Sequence, residues 1–148
     1  MKVIVQAEPL APWQLLAEFE QGQVNPQGLG QYGACASFVG TMRDFNEGDE
    51  VLGMFLEHYP GMTEKVLEEL AAQAMRTHGL LDVLLAHRVG ELLPGEPIVL
   101  VAVWSAHRKQ AFEACRDLME QLKSCAPFWK REQLPAGHRW VEKNTAGY

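Results

Sequence analysis

Stretches of apolar and β-branched residues recur along the chain and predict six strands. They lie at residues 2–7, 34–39, 51–59, 81–89, 97–104 and 139–142. The stretch at 34–39 is expected to be a buried strand. A Leu-Pro-Gly-Glu turn at 93–96 separates the fourth strand from the fifth.

Apolar residues at helical spacing predict three helices between these strands. A short amphipathic helix begins at Pro12. A long helix begins with Thr63 as its N-cap and ends at Gly79. A second long helix runs from about Ser105 to Ala126, where the following proline ends it.

The resulting order, β-α-β-β-α-β-β-α-β, indicates an α+β fold with a mixed or antiparallel sheet and two long helices. The chain has 148 residues, of which 47% are hydrophobic, so it can bury the core of one ordinary domain. We therefore expect a single domain over residues 1–148. The glycine-rich stretch from Gly22 to Gly33 is predicted to be a loop or a hairpin.

Composition excludes several classes of protein. The net charge of −6 argues against broad nucleic-acid binding. No apolar run approaches the roughly 20 residues that span a membrane, and the N-terminus does not resemble a signal peptide, so a cytoplasmic protein is expected. The three cysteines have no metal-ligand spacing and are odd in number, so no metal site and no disulfide framework are predicted.

The charge is distributed unevenly, because the C-terminal third is basic. Between positions 106 and 139 lie seven cationic residues: Arg108, Lys109, Arg116, Lys123, Lys130, Arg131 and Arg139. In an acidic protein this concentration indicates a local anion-binding site rather than a basic surface.

Two groups in this third are candidates for binding an anion. His107 and Arg108 open a predicted helix, and helix N-termini attract anions. An N-cap Ser105 followed by two exposed polar residues explains the same pattern equally well.

The second group carries a similar ambiguity. Lys123 is predicted in the last helical turn, where lysine is favoured anyway. Phe128 and Trp129, followed by Lys130 and Arg131, form either a stacking and anion site or a hydrophobic plug with a solvated basic edge, and the plug is the commoner arrangement.

Arg43, in a turn after a predicted strand, is a weaker candidate, and His58 is interpreted as a structural residue rather than a metal ligand. The residues alone thus predict an anion pocket without identifying the anion. Its candidate members are Arg43, His107, Arg108, Lys123, Lys130 and Arg131.

Several long motifs in register resemble one family. They are FVGTMR at 38–43, LEHYPGMTEK at 56–65, HRVGEL at 87–92, SAHR at 105–108, APFWKRE at 126–132 and RWVE at 139–142. Over about 34–142, the chain is similar to the large, catalytic subunits of molybdopterin synthases. This resemblance implies an α/β-hammerhead-like fold.

The resemblance also implies a function. These sulfurtransferases convert cyclic pyranopterin monophosphate into molybdopterin, using sulfur from the C-terminal Gly-Gly thiocarboxylate of a small ubiquitin-like subunit. Two large subunits form a homodimer within a heterotetramer, and no cofactor is implied. Lys123 and Lys130 would be catalytic. The substrate site would comprise Thr41, Met42, Arg43, His107, Arg108, Lys123, Lys130, Arg131 and Glu132.

The spacing of two of these residues carries a geometric consequence. His107 and Lys123 lie sixteen positions apart on one predicted helix. At about 1.5 Å per residue they are separated by roughly 24 Å. Because one small substrate cannot span that distance, we expect either an interrupted helix or a site shared by two copies of the chain, and the unbroken apolar stripe favours the second.

Two other functions remain open. The chain could merely dock a ubiquitin-like partner while another protein performs the chemistry. It could also bind RNA or a nucleotide through Phe128, Trp129 and the basic third, in which case these aromatic side chains would be exposed.

Overall fold

The structure is a computed structural model that describes residues 1–22 and 30–141. The helices are α1 (Pro12–Gly22), α2 (Met62–His78) and α3 (Arg108–Cys125). The strands are β1 (Lys2–Gln6), β2 (Ala34–Thr41), β3 (Phe45–Asn46), β4 (Asp49–Glu50), β5 (Gly53–His58), β6 (Asp82–Arg88), β7 (Gly90–Leu92), β8 (Pro97–Ser105), β9 (Phe128–Leu134) and β10 (Gly137–Trp140).

The first sheet has the order β1-β6-β8-β2, with β1 parallel to β6 and the other pairs antiparallel. Helices cover both of its faces. Along β8, Val101 and Val103 pack with α2 and α3, whereas Leu100 and Trp104 pack with Phe19 of α1. Burial on both faces explains why β6 and β8 are nearly continuous apolar runs.

The second sheet has the order β10-β9-β5-β7 and is antiparallel throughout. A small core lies beneath it, built around Met42, Val51, Leu56 and Leu92. A separate hairpin of β3 and β4 lies between β2 and β5 in the chain. The α+β class, the mixed sheet and the two long helices predicted from the sequence are confirmed.

The start of α2 differs from the prediction. Its N-cap is Gly61, in the left-handed region at φ 85°, and the Glu64 carboxylate accepts a hydrogen bond from the Gly61 amide. Thr63 lies inside the helix and is fully buried, where its hydroxyl donates to the Pro127 carbonyl at 3.4 Å. Gly79 ends the helix as predicted, at φ 62°.

The prediction of a buried strand at 34–39 is wrong with respect to burial. β2 lies at the edge of its sheet, and among the described residues it pairs only with β8. Its side chains are exposed or half-buried, and Phe38 is 42% exposed. An apolar composition alone does not distinguish an edge strand from a central one.

The segment after Pro127 is a strand of the second sheet, which was not predicted. Phe128 packs against the core beneath α3, as the plug interpretation expected, whereas Trp129 is exposed. β3, β4 and β7 were also not predicted. Most of the predicted loop at 22–33 lies outside the described residues, as does Glu142. Within the described part of the chain, every helix is too short or too polar to cross a membrane.

Candidate active site

A cavity of about 250 Å³ lies where the two sheets and the C-terminal end of α3 meet. We call it the cleft. Its wall combines cationic and apolar side chains. The predicted site residues that line it are Thr41, Met42, Arg43, Lys123, Lys130 and Glu132. The structure therefore brings together six of the nine residues named from the sequence.

Strand geometry decides which residues of β9 reach the cleft. Successive side chains of a strand point to opposite faces. Phe128, Lys130 and Glu132 line the cleft, whereas Trp129 and Arg131 point to the other face of the sheet. The cationic pair at 130–131 is thus divided, and the structure does not bring Arg131 to the cleft.

Lys123 and Lys130 form the cationic centre of the cleft. Lys123 is in the last turn of α3, and Lys130 is in the second sheet, so different elements position them. Burial lowers the pKa of Lys130, the positive charge of Lys123 lowers it further, and Glu132 partly opposes both effects. Two ammonium groups that line the same cleft favour binding of an anion there.

The loop after β2 supplies one wall. Met42 is buried in the small core, and its amide donates to the Glu96 carbonyl at 2.9 Å, while its own carbonyl accepts from the Gly95 amide at 2.8 Å. These bonds fix the backbone just before Arg43. The Arg43 guanidinium lies 5.1 Å from the centre of the Phe45 ring, a distance suited to a cation–π contact.

Glu132 is 5% exposed and acts chiefly as an acceptor for other protein groups. Its Oε1 atom accepts from the Asn46 amide nitrogen at 3.0 Å and from the Arg139 guanidinium at 3.0 and 3.2 Å. Arg139 also donates to Asp49 at 2.8 Å. This network ties the β3–β4 hairpin, which borders the cleft, to the second sheet.

His107 and Arg108 are exposed at the opposite end of α3, away from the cleft. His107 is the N-cap of the helix, with no hydrogen bond from its side chain, and the predicted N-cap Ser105 lies in β8 instead. The Ser105 hydroxyl donates to the His107 carbonyl at 2.6 Å. Because α3 is unbroken from 108 to 125, roughly 24 Å separates His107 from Lys123.

The outer face of the second sheet carries exposed aromatic side chains. Trp129 is 42% exposed and makes an edge-to-face contact with Tyr59, their ring centres 4.7 Å apart. The Arg131 guanidinium lies between Phe55 and Trp140, 5.4 and 6.0 Å from their ring centres. RNA binding through Trp129 requires this side chain to be exposed. Because it is exposed, its burial does not rule out that alternative.

Sequence reasoning missed several residues that line the cleft, notably Phe38, Asn46 and His87. A signal for His87 was present, since it is the polar residue that ends the apolar run from Val83 to Ala86 in β6. No comparable signal marked Asn46, because its place depends on contacts across the chain. His58, predicted to be structural, lies 3.9 Å from the Glu64 carboxylate and does not line the cleft.

The cysteines do not line the cleft. Cys115 belongs to the core, as predicted, and burial raises the pKa of its thiol to about 11. Burial also raises the pKa of Cys35 to about 11, with the negative charge of Glu20 as a further cause. Both thiols are therefore protonated at neutral pH and are poor nucleophiles.

With this geometry in place, comparison with known proteins identifies the family. A family model described as MoaE protein matches residues 5–125. The chain belongs to the MoaE family. The matched range includes Lys123 and ends before Lys130.

Individual relatives extend the comparison beyond that range. A molybdopterin synthase catalytic subunit from Pseudomonas aeruginosa is 54% identical over 130 residues, which cover 85% of this chain and 86% of the relative. The solved structure of a molybdopterin biosynthesis MoaE protein from Burkholderia ambifaria has a TM-score of 0.76 and 41% identity, covering 99% of this chain and 92% of the other.

A more distant solved structure shares the fold. It is a complex of subunits 1 and 2 of the molybdopterin-converting factor from Helicobacter pylori, with a TM-score of 0.76 and 21% identity. The match covers 97% of this chain and 92% of that one.

Proposed function

We propose that this chain is the catalytic subunit of a molybdopterin synthase. It transfers two sulfurs to cyclic pyranopterin monophosphate, each delivered as the C-terminal thiocarboxylate of a copy of a small ubiquitin-like subunit, and so forms the dithiolene of molybdopterin. The observation that carries this proposal is the convergence of Arg43, Lys123 and Lys130 on one cleft in a chain of the MoaE family.

The chemistry of the cleft suits these reactants. The substrate carries a cyclic phosphate and the sulfur donor is an anionic thiocarboxylate, so both are attracted by lysine and arginine. Sulfur transfer develops negative charge on oxygen and releases a carboxylate from the donor. Lys123 offsets that charge. The lowered pKa of Lys130 makes it a better proton donor than an ordinary lysine.

The remaining residues of the cleft have supporting roles. Arg43 binds the phosphate, with Thr41 beside it at the end of β2. Glu132 holds the hairpin next to Arg43 through Asn46 and the bonds described above, rather than contacting substrate directly.

The small subunit reaches the cleft through its C-terminal tail. A Gly-Gly tail has no side chains and therefore fits a narrow passage. The apolar part of the cleft wall, including Val99, Met119 and Leu122, provides a surface for such a backbone to pack against. The Helicobacter pylori complex is a precedent for assembly of two subunits by this fold.

A second copy of the chain completes the site. Among the described residues β2 is an edge strand, with its Ala34 end paired with Ser105 and its Thr41 end at the border of the cleft. Antiparallel pairing of β2 with β2 of a second copy sets the Ala34 end of one beside the Thr41 end of the other. The second copy's His107 and Arg108 then lie next to this cleft, which agrees with the length of α3.

Complementation of inactive subunits tests this shared site. Arg108→Ala and Lys123→Ala subunits are mixed, reassembled with the thiocarboxylated small subunit and assayed for molybdopterin. A mixed dimer contains one intact site, so activity is expected to return to roughly a quarter of the wild-type value after random reassociation. A mixture of Lys123→Ala and Lys130→Ala subunits is the control. Both lysines of a site come from the same copy of the chain, so every site in a mixed dimer lacks one of them and the mixture should stay inactive.

The function itself is tested by reconstitution. The purified chain is incubated with thiocarboxylated small subunit and cyclic pyranopterin monophosphate, and molybdopterin is measured. A docking module without chemistry of its own gives unchanged turnover for Lys123→Ala whenever the small subunit still binds. Loss of turnover with retained binding supports the enzyme, whereas RNA binding by wild type that Trp129→Ala abolishes supports the nucleic-acid alternative.

A further inference from the structure

His87 is a polar residue in an unusual position. It lies in β6, where the preceding side chains from Val83 to Ala86 are buried and apolar, and it pairs with Val99 of β8. Its side chain lines the cleft that contains Lys123 and Lys130. Titratable side chains in such a cleft often contact the substrate or take part in its reaction, so His87 is a candidate for such a role.

The geometry determines which nitrogen of the ring carries the hydrogen. Nδ1 lies 2.7 Å from the Arg88 carbonyl oxygen. Because a carbonyl only accepts, Nδ1 must donate, which leaves Nε2 without a hydrogen in the neutral ring. The ring is stacked on Phe128 at a centroid distance of 3.9 Å and an angle of 15°, so its orientation is also restricted.

The surroundings keep the ring neutral. Burial lowers the pKa of His87 to about 4, against a smaller opposing effect of the hydrogen bond to Arg88, and Coulombic interactions with the neighbouring Lys130 and His58 lower it as well. At neutral pH the imidazole is therefore uncharged, with a lone pair on Nε2. Among the described residues, Nε2 has no hydrogen-bond partner.

An uncharged acceptor complements the other polar groups of the cleft. Arg43, Lys123 and Lys130 are cationic donors, and the Oε1 atom of Glu132 already accepts from Arg139 and Asn46. A pterin differs from a simple phosphate because its ring and amino nitrogens carry hydrogens. Those hydrogens require an acceptor, and leaving them unpaired in a closed site is costly.

We propose that Nε2 of His87 accepts a hydrogen bond from an N–H group of the pterin and thereby orients the ring of the substrate beside the two lysines. This inference rests on the proposed function, since it names the part of that substrate which His87 contacts. His87 is then a binding and specificity residue for the heterocycle, while the cations bind the phosphate.

Three substitutions separate the roles of the ring. His87→Gln places an amide oxygen near the position of Nε2 and keeps an acceptor. His87→Asn keeps only a donor near the position of Nδ1, and His87→Phe keeps only the stacking surface. We expect His87→Asn and His87→Phe to weaken binding of cyclic pyranopterin monophosphate about tenfold, and His87→Gln to stay within about threefold.

Binding is measured by calorimetry on the assembled synthase, with inorganic phosphate as a second ligand. Phosphate affinity should be the same in all three variants, because its cationic contacts are intact. A phosphate affinity that falls with pterin affinity, or equal pterin binding by His87→Gln and His87→Asn, overturns the inference. Wild-type turnover is measured in parallel, and its absence rejects the proposed function separately.

Nuclear magnetic resonance of ¹⁵N-histidine in the wild-type protein removes any dependence on how the variants fold. The Nε2 resonance of His87 should have the position of an unprotonated nitrogen and should shift when cyclic pyranopterin monophosphate binds. A protonated Nε2 in the free protein, or a resonance that does not respond to the substrate, contradicts the proposal.

Discussion

The two faces of β9 are made by the same seven residues and differ in nearly every physical property. The inner face presents Lys130 and Glu132 to a partly enclosed cleft, where burial and neighbouring charges alter the pKa of Lys130. The outer face presents Trp129 and Arg131 to solvent, where a cation rests between aromatic rings. Because side chains alternate along a strand, residues next to each other in the sequence lie in different environments, one in the cleft and the next on the outer face.

When a charged motif lies in a strand, its residues must first be assigned to one face of the sheet or the other, and only then to a role. Lys130 and Arg131 carry the same charge, yet only Lys130 shares a cavity with Lys123. The inner face is expected to control chemistry and the outer face to contribute modestly to stability. Five predictions can break or sharpen that contrast.

The largest effect is expected for Lys130→Ala. Loss of a group that moves a proton, or offsets charge at the reacting atoms, should reduce molybdopterin formation at least about 100-fold. The protein should remain folded, because a half-buried lysine is replaced by a smaller side chain. Steady-state turnover with a thermal melt as control checks this, and near-normal turnover would remove Lys130 from the mechanism.

A smaller effect is expected for Glu132→Gln. The change weakens charge-assisted bonds to Asn46 and Arg139, so the free energy of unfolding should fall by about 2 kcal/mol. Displacement of the hairpin beside Arg43 should reduce turnover about tenfold. Glu57→Gln, an exposed carboxylate on the outer face, is the matched control and should change the free energy of unfolding by less than about 0.5 kcal/mol.

Electrostatic coupling across the cleft is tested by Lys123→Met. Removing that positive charge should raise the pKa of Lys130 towards its ordinary value, although burial will still hold it lower. Titration of isotope-labelled lysines by nuclear magnetic resonance measures the change. Arg131→Ala on the outer face should leave the pKa of Lys130 where it is, and an equal response to both substitutions would show that the faces are not separate.

The same lowered pKa has a consequence for stability. In the unfolded chain Lys130 binds its proton more tightly than in the folded protein, so the free energy of unfolding rises with pH between the folded and unfolded values. Lys123→Met should reduce that rise, because it brings the pKa of Lys130 in the folded protein closer to its pKa in the unfolded chain. Chemical denaturation at a series of pH values measures the rise.

The smallest effect is expected for Arg131→Ala. Loss of its contacts with Phe55 and Trp140 should lower the free energy of unfolding by about 0.5–1 kcal/mol, and turnover should stay within about threefold of wild type. Chemical denaturation and the synthase assay measure the two quantities. A loss of turnover comparable to that of Lys130→Ala would mean that the outer face also serves catalysis.

Local patterns predicted most of the fold, because apolar periodicity, prolines and glycines act over short distances. α1, α2 and α3 were found this way, as were the buried strands β6 and β8. The patterns failed where tertiary context decides. The segment after Pro127 contains two aromatic and three charged residues, and only its pairing with β5 makes it a strand.

The site was predicted in part for the same reason. Its residue types pointed to an anion, and the resemblance to a family supplied Lys123 and Lys130. The assignment of His87, and the separation of Arg131 from the cleft, depend on which face of a strand each side chain occupies. Arg139 also donates a hydrogen bond to the Asn46 carbonyl, 93 positions away in the chain. Proximity in the sequence could not indicate such a contact.

The unbroken course of α3 makes this protein sensitive to a kind of change that point substitutions do not probe. One residue inserted within the helix would advance its last turn by about 1.5 Å and rotate it by about 100°. Lys123 would then swing out of the cleft even though every side chain of the site was still present. The number of residues in α3 is therefore itself a functional quantity, and changes of length should not be tolerated between Arg108 and Lys123.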